Sequence, residues 1–268
     1  MNEEYIKAEK RRFMWVLGIG LALLIAVISI VLAFTGQITK GLTIALAALI
    51  CAIVLRSFGT RQYTTAIADM RVRYGLKLKE AERIEASEAR AQANGLRLLP
   101  DSFRPNTPLH MYPFRGVWQG YDVILSELTV TYQIKANARH FMSGTLMTVK
   151  TGCAYPGLMA VYGKVFTGVP VDQWKRMTAV DTGDRGFQLL AEQPDAVNDY
   201  VLDNLSSFDR AKELTAVIWT EAERVCVFLP LQFYSGNWSL PKPMPQAEAS
   251  ADPLPALAEL PKVLKKLA

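Results

Sequence analysis

The chain has 268 residues, of which 50% are hydrophobic and 21% are charged, and its formal net charge is +5. Three cysteines are too few, and odd in number, for a disulfide scaffold, and two histidines are too few for a histidine-rich metal site. A basic balance raises nucleic acid as a partner until the position of the charge along the chain is known.

The apolar residues are concentrated at the start of the chain. Phe13–Phe34 is a run without a single charge, and at ~1.5 Å per residue it is long enough to cross the ~30 Å hydrocarbon core of a bilayer. It is too long for a cleaved signal peptide, so it predicts a transmembrane helix. Gly41–Leu55 would reach only ~22 Å, but counted from Gln37 it reaches ~28 Å, because Lys40 and Arg56 can extend to the headgroups.

The two predicted spans form a transmembrane hairpin over residues 13–55, with a tight turn at residues 35–37. Cations are dense before the first span and after the second, whereas Lys40 alone lies between the spans. The positive-inside bias therefore predicts a multi-pass protein of the inner cell membrane with both termini in the cytoplasm and residues 1–12 as a cytoplasmic tail. The flanking cations are Lys7, Lys10, Arg11, Arg12, Arg56, Arg61, Arg71, Arg73, Lys77 and Lys79.

Each span carries a stripe of small residues at helical spacing, which allows helix backbones to approach closely in lipid. The stripes favour packing of the two spans on each other; the alternative is packing between subunits, around a pore. The stripe residues are Gly18, Ala22, Ala26, Ser29 and Ala33, and Gly41, Ala45, Ala48 and Ala52.

A juxtamembrane segment, residues 56–95, follows the hairpin. Residues 66–93 contain no proline and one glycine and are rich in good helix formers, so they predict one long helix with Gly75 as a break point. Asn94 and Gly95 provide its C-terminal stop.

The segment from residue 96 to residue 240 has short β-type runs separated by Gly, Pro and Asn and predicts a cytoplasmic α+β domain, mainly antiparallel, with one or two helices. Predicted strands are Tyr121–Leu125, joined by a short link to Leu128–Ile134, then Leu146–Lys150, Leu158–Val165 and a hairpin of Leu214–Thr220 with Arg224–Leu231. Predicted helices are Asp195–Leu205, capped by Asp195, and Val171–Met177.

The last segment, residues 241–268, holds six of the fourteen prolines. Its first part, Pro241–Pro253, predicts an extended, mobile linker, and its end predicts a short amphipathic helix with a leucine-rich side. That helix has three interpretations: packing on its own domain, docking into a partner, or lying on the inner leaflet.

The sequence carries no catalytic, cofactor or metal motif, and it predicts no site residue of these kinds. The glycine pattern at 157–165 has the wrong spacing for a phosphate loop. Asp195, Asp199 and Asp203 recur every four residues, which is typical of a solvated helix face. An enzyme would need a polar pocket that joins residues distant in sequence, such as Asp122, Glu127 and His140.

The position of the charge argues against nucleic acid as a partner. Residues 100–240 carry 12 Lys and Arg against 14 Asp and Glu, whereas residues 56–99 carry nine against five. The cations beside the hairpin are explained by the lipid bilayer and its anionic headgroups.

The layout resembles a group of bacterial membrane proteins of unknown function, built as two closely spaced spans and a cytoplasmic α+β domain. The reminiscent stretches are Gly116–Val130, Phe187–Leu205 with Tyr200 and Leu202, and Val217–Phe228. The resemblance implies an architecture and no catalytic residues.

Together these features predict a membrane-anchored, non-enzymatic protein whose cytoplasmic domain binds a protein partner or a small ligand within a membrane complex or homo-oligomer. The alternative is a ligand-gated, channel-like oligomer, and an enzyme acting at the membrane face comes third.

Overall fold

A computed structural model describes residues 2–92, 104–105, 109–135, 138–155, 157–163, 177–183, 185–208, 216–233 and 240–267, and it gives the backbone alone for residues 104–105, 132–135, 138–141 and 266. The chain divides into two units. Residues 1–75 and 234–251 form the helical unit, and residues 76–233 and 252–268 form the sheet unit.

The helical unit is built on two antiparallel helices, α1 (Asn2–Phe34) and α2 (Ile38–Met70), of 33 residues each. The predicted turn at residues 35–37 joins them, and Gly36 occupies it with a φ of +100°, a conformation that a side chain disfavours. Both predicted spans are therefore helical. The helices continue past the spans, through residues 2–12 in α1 and residues 56–70 in α2.

Both helices are long and apolar enough to cross a membrane. Only 22% of the most apolar 18-residue stretch of each helix is buried within the protein. A core helix of a globular domain would be covered far more completely, so the exposed apolar surface suits lipid as its solvent.

The small-residue stripes of α1 and α2 face each other. The buried residues of the apolar part of α1 are Ala22, Ala26, Ser29 and Ala33, and those of α2 are Gly41, Ala45, Ala48 and Ala52. A Cβ atom on Gly41 would lie 2.6 Å from the carbonyl oxygen of Ser29, so the backbones are as close as glycine allows. The packing of the spans on each other, predicted from the stripes, is the arrangement observed.

The prediction of one long helix over residues 66–93 is wrong. Helix α2 ends at Met70 and a single π-helical turn follows over Arg71–Gly75, so Gly75 does end the helical stretch. The chain then forms a strand, β1 (Lys79–Arg83), and a short helix, α3 (Ala86–Gln92). Strand β1 pairs with a strand of the sheet, and this tertiary pairing overrides a helix propensity worth only tenths of a kcal/mol per residue.

The prediction of an extended, mobile linker over Pro241–Pro253 is also wrong. Residues 240–251 lie on the helical unit and include a short helix, α5 (Gln246–Ser250). Leu240, Met244 and Ala249 are buried against a cluster on the helix pair that includes Tyr63 and Ile67. Proline prevents a long helix here but leaves apolar side chains free to pack.

The sheet unit is an antiparallel sheet of ten strands in the described part of the chain, which confirms the predicted α+β class. Besides β1, its strands are β2 (Arg104–Pro105), β3 (Leu109–Trp118), β4 (Tyr121–Lys135), β5 (Ala138–Lys150), β6 (Leu158–Tyr162), β7 (Thr178–Val180), β8 (Phe187–Ala191), β9 (Val217–Glu221) and β10 (Arg224–Leu229). Their order in the sheet is β1-β3-β4-β5-β10-β9-β6-β8-β7, and β2 pairs with β4 beside this path.

Each predicted strand corresponds to a strand of the sheet, but β3 and β7 were not predicted, and β5 begins at Ala138 rather than at Leu146. Tyr121–Leu125 and Leu128–Ile134 do not form a hairpin, because both belong to the single strand β4. The strand predicted over Leu158–Val165 ends at Tyr162. Residues 171–176 of the helix predicted over Val171–Met177 fall outside the described residues, and Met177 is not helical. The predicted C-terminal hairpin is confirmed as the antiparallel pair β9–β10.

The core of the sheet unit forms along the central strands. One face of β4, β5, β6, β9 and β10 carries a continuous apolar cluster whose members include Leu128, Leu146, Met159, Trp219 and Phe228. Alternation along each strand places these side chains on the same side. The central strands of the sheet are therefore held in place by a well-packed apolar core.

Helix α4 (Asp199–Ser206) lies within the stretch predicted as Asp195–Leu205, but it starts later. The N-cap is Asn198, whose side-chain oxygen accepts a hydrogen bond from the backbone N–H of Val201 at 3.1 Å. Asp195, the predicted cap, lies in a separate 3-10 turn over Pro194–Ala196. Val197 and Asn198 are extended, so they separate that turn from the helix.

The C-terminal helix α6 (Leu260–Leu267) packs against α4 within the sheet unit. Leu260, Val263 and Leu264 are completely buried, and the carbonyl of Leu267 accepts a hydrogen bond from Ala154 N–H at 2.8 Å. Of the three interpretations of the apolar side of this helix, packing on its own domain is the one observed.

Candidate functional site

An open cleft of about 610 Å³ lies on the sheet unit. Its lining comes from β1, β3, β4, β5, the end of α3 and the start of β10. We call it the polar cleft, because seven of its lining side chains are charged: Glu80, Glu82, Arg115, Asp122, Lys150, Glu223 and Arg224.

The strand register brings these residues together from distant parts of the sequence. Arg224 of β10 is directly opposite Lys150 of β5, so their side chains leave the sheet on the same face. Asp122 precedes Val123, the partner of Val149, and so lies at the level of Lys150. Two cations and a carboxylate therefore occupy one level of three adjacent strands.

A second level of the cleft runs across four strands. Glu82 of β1 is paired with Arg115 of β3, Arg115 with Ile124 of β4, and Ile124 with Thr148 of β5. Ile124 and Thr148 form a small, mostly uncharged floor between the carboxylates on β1 and the cations on β5 and β10. The β1 side of the cleft therefore carries two carboxylates, and the opposite side carries the cations Lys150 and Arg224 together with Asp122 and Glu223.

Most of these charges are not neutralised by one another. Arg115 forms an ion pair with Glu88 of α3. Within the part of the chain that the structure describes, the other six charged lining residues form no ion pair or side-chain hydrogen bond. Like charges directly opposite each other across two strands, as at Lys150 and Arg224, destabilise a sheet by tenths of a kcal/mol. Unpaired charges at such positions are available to a ligand.

The β1 side of the cleft has an unusual backbone. Glu80 has a φ of +53° and Lys77 a φ of +56°, which non-glycine residues rarely adopt. The pairing of β1 with β3 is irregular between Lys79 and Glu82, where β1 contains one residue more than β3. Such irregularities re-aim side chains and occur often beside binding sites.

The lining of the cleft offers polar groups of several kinds. Its described residues contribute carboxylates, cations, the hydroxyl of Thr148 and the amide of Gln92. Among the described residues, no group of three His, Cys, Asp or Glu side chains is placed to hold a metal ion. The arrangement can orient a small polar molecule by its charges.

A buried polar pair lies on the same sheet beside α3. His110 Nδ1 is 2.9 Å from Ser126 Oγ, and the two residues are 3% and 1% exposed. Burial, and to a smaller extent the charge of Arg90, lowers the pKa of His110 to about 4. His110 is therefore neutral at pH 7 and serves as a core residue.

The helical unit carries a second polar network at the base of the hairpin. Tyr63 donates a hydrogen bond to Glu9 Oε1 at 2.8 Å and accepts one from Met244 N–H at 2.9 Å. Arg12 donates to Glu9 Oε2 at 2.7 Å and to the Leu240 carbonyl at 2.6 Å. Burial is the main cause that raises the pKa of Tyr63, which keeps its hydroxyl protonated. This network fixes residues 240–251 on the helix pair.

Asp122, Glu127 and His140, the three residues that an enzyme would have to unite, are not brought together. Asp122 and Glu127 lie five residues apart on the regular strand β4, a separation of ~17 Å, and an odd separation places them on opposite faces. The backbone of His140 pairs with Tyr132, five residues beyond Glu127.

The aspartates of α4 behave as a solvated face, as their spacing predicts. Arg185 lies 3.3 Å from an Asp199 oxygen and 3.1 Å from an Asp203 oxygen, and both carboxylates are largely exposed. Both carboxylates form ion pairs with the same cation, Arg185.

No protein-family model, curated protein or solved structure matches the chain. The resemblance to two-span bacterial membrane proteins therefore stays a prediction.

Sequence reasoning missed the polar cleft. Asp122, Lys150 and Arg224 each lie at the end of a strand, next to a turn, where charged residues are ordinary. The one sequence feature that could have indicated the cleft was the predicted antiparallel pairing, because consecutive hairpins place the ends of their strands side by side. Neither the order of β5 and β10 nor the addition of β1 could be read from the sequence.

Proposed function

We propose that the protein is a membrane-anchored, non-enzymatic binding protein of the inner membrane, with both chain ends in the cytoplasm. Its sheet unit binds a small ligand or part of a protein partner within a membrane complex. The observation that carries this proposal is the polar cleft, where six charged side chains converge without pairing with each other. Binding sites combine a concave surface with a few convergent polar groups in this way.

The helical unit supports the anchoring part of the proposal. Its two helices are long and apolar enough to cross a bilayer, and their apolar surface is largely exposed. The cations that flank both helices on one side, and the single Lys40 between them, support the cytoplasmic location of both ends.

The channel-like alternative has less support. It was motivated by the small-residue stripes, and these are occupied by the contact between α1 and α2 of the same chain. The enzyme at the membrane face also has less support, because Asp122 and Glu127 point to opposite faces of β4.

The test starts from the full-length protein, extracted from membranes in mild detergent, whose complex is weighed together with its co-purifying species by native mass spectrometry. We expect the wild type to retain a bound species and the double variant Glu82→Gln/Arg224→Gln to lose it. Arg185→Gln, which removes one cation outside the cleft, is the control and should retain the species.

Three results would contradict the proposal. Recovery of the protein from cells without detergent would contradict the membrane anchoring. Retention of the bound species by the double variant would show that the species binds outside the cleft. A ring-shaped oligomer that conducts ions in a planar bilayer would establish the channel-like alternative in its place.

A further inference from the structure

The geometry points to a ligand with separated charges in the polar cleft: a small zwitterion of the length of a di- or tripeptide, with its ammonium group at Glu80 and Glu82 and its carboxylate at Arg224. This inference rests on the proposed function, in which the cleft binds a ligand, and adds the chemical class of that ligand.

The separation of the two charged sides follows from the sheet order. Strand β1 carries Glu80 and Glu82, and β3 and β4 lie between it and β5, which carries Lys150. Three strand spacings of ~4.8 Å place the backbones of β1 and β5 about 14 Å apart, and β10 with Arg224 lies one spacing further. Side chains that reach inward from both sides shorten this gap.

The remaining gap matches a short peptide better than a single ion. Two or three extended residues span about 7–10 Å. A lone phosphate or a lone metal ion could contact only one side of the cleft at a time. The floor between the sides, Ile124 and Thr148, offers apolar contact and a hydroxyl to the middle of such a ligand.

The positions of the charged lining residues also indicate which end of the ligand lies at which side of the cleft. Arg115 is paired with Glu88, so four carboxylates and two cations of the lining remain. Asp122 lies at the level of Lys150 and offsets part of its charge without an ion pair, so Arg224 is assigned to the anionic group. Glu223 adds a further exposed carboxylate beside Arg224. Carboxylates are in excess, so the ammonium group of the ligand should contribute more than its carboxylate.

The experiment measures binding of triglycine, acetyl-triglycine and triglycine amide to the full-length protein in detergent by calorimetry at low ionic strength, where exposed charges are least screened. We expect triglycine to bind with a millimolar or lower Kd. Acetylation of the amine should raise Kd at least fivefold, and amidation of the carboxylate should raise it less. Magnesium chloride and sodium phosphate serve as probes of the carboxylates alone and of the cations alone.

Two variants assign the ends of the ligand. In Glu82→Gln the penalty for acetylation should fall, whereas the penalty for amidation should stay; in Arg224→Gln the reverse is expected. Both side chains are at least partly exposed, so both variants should fold, and an unchanged unfolding temperature checks this. Arg185→Gln should bind all three peptides as the wild type does.

The inference is overturned if triglycine does not bind at 10 mM (about 3 kcal/mol of binding free energy or less), or if the acetylated and free peptides bind equally. Phosphate or magnesium binding that matches or exceeds triglycine binding would also overturn it, in favour of a simple ion site. If a co-purifying species without an amine is lost from the cleft double variant, the proposed function stands and this inference fails.

Discussion

The hydroxyl group of Tyr63 accepts a hydrogen bond from the backbone N–H of Met244 at 2.9 Å, which joins α2 to a segment 181 residues further along the chain. The same hydroxyl donates to Glu9, so one buried side chain holds α1, α2 and residues 240–251 together. A stretch with three prolines within five residues, Pro241–Pro245, is thereby given a defined place on the helical unit.

Tyr63→Phe should loosen residues 240–251. The substitution leaves the Met244 N–H without its partner in a buried position, which costs ~1–3 kcal/mol. We expect earlier proteolytic cleavage within residues 240–251 and a lower unfolding temperature of the full-length protein in detergent. Tyr74→Phe is the control, because its hydroxyl donates to Glu4 in an exposed position. Equal effects of the two variants would show that the Tyr63 network does not hold the segment.

Gly41→Ala should weaken the packing of the hairpin. A Cβ atom at this position would lie 2.6 Å from the Ser29 carbonyl oxygen and 2.7 Å from Ala33 Cβ, so the helices would have to separate. Overpacking of this kind costs ~1–3 kcal/mol, and it should lower the unfolding temperature in detergent. Gly20→Ala is the matched control, since nothing lies within 4 Å of its added carbon. A Gly41→Ala protein as stable as Gly20→Ala would contradict the close approach of α1 and α2.

The stability of the protein should fall as pH drops from about 6.5 to about 4. In the folded protein the pKa of His110 is lowered to about 4, chiefly by burial, whereas the unfolded chain has the ordinary value near 6.5. Above pH 6.5 the His110 imidazole is neutral in both the folded and the unfolded state, so its burial does not reduce the free energy of unfolding there. On acidification the unfolded state takes up the proton first, and about 3 kcal/mol are lost across this window.

The measurement is the free energy of unfolding against pH for the wild type and His110→Gln. The variant cannot titrate at this position, so its curve should be flatter between pH 6.5 and pH 4. The two proteins are otherwise identical, so the difference between the curves isolates His110. Parallel curves would mean that His110 is accessible to protons in the folded state.

Asn198→Ala should destabilise α4, and Asp195→Ala should not. Asn198 caps the helix through the Val201 N–H, whereas Asp195 lies in the preceding 3-10 turn. Loss of an N-cap costs ~1 kcal/mol, which chemical denaturation of the full-length protein can resolve. The opposite ranking of the two variants would restore Asp195 as the cap.

Much of the fold could be predicted because its signals are local. The charge-free run of Phe13–Phe34 sets a helix length by itself, and the alternation from Leu128 to Ile134 sets a strand. Both elements were found, although β4 proved longer than its alternating part. Residues 66–93 failed for the opposite reason: their helix propensity is real but weak, and the pairing of β1 with β3 outweighed it.

By itself, the sequence determined the two apolar helices and the turn between them, the α+β class, and the helix face on which each small-residue stripe lies. These features depend on the length and periodicity of a single segment, which can be read without knowledge of the rest of the fold. Only the tertiary structure decided where residues 240–251 lie and which charges line the polar cleft. Both depend on residues more than a hundred positions apart: Tyr63 bonds to Met244, and Asp122 lines the same cleft as Arg224. No local sequence pattern specifies such long-range proximity.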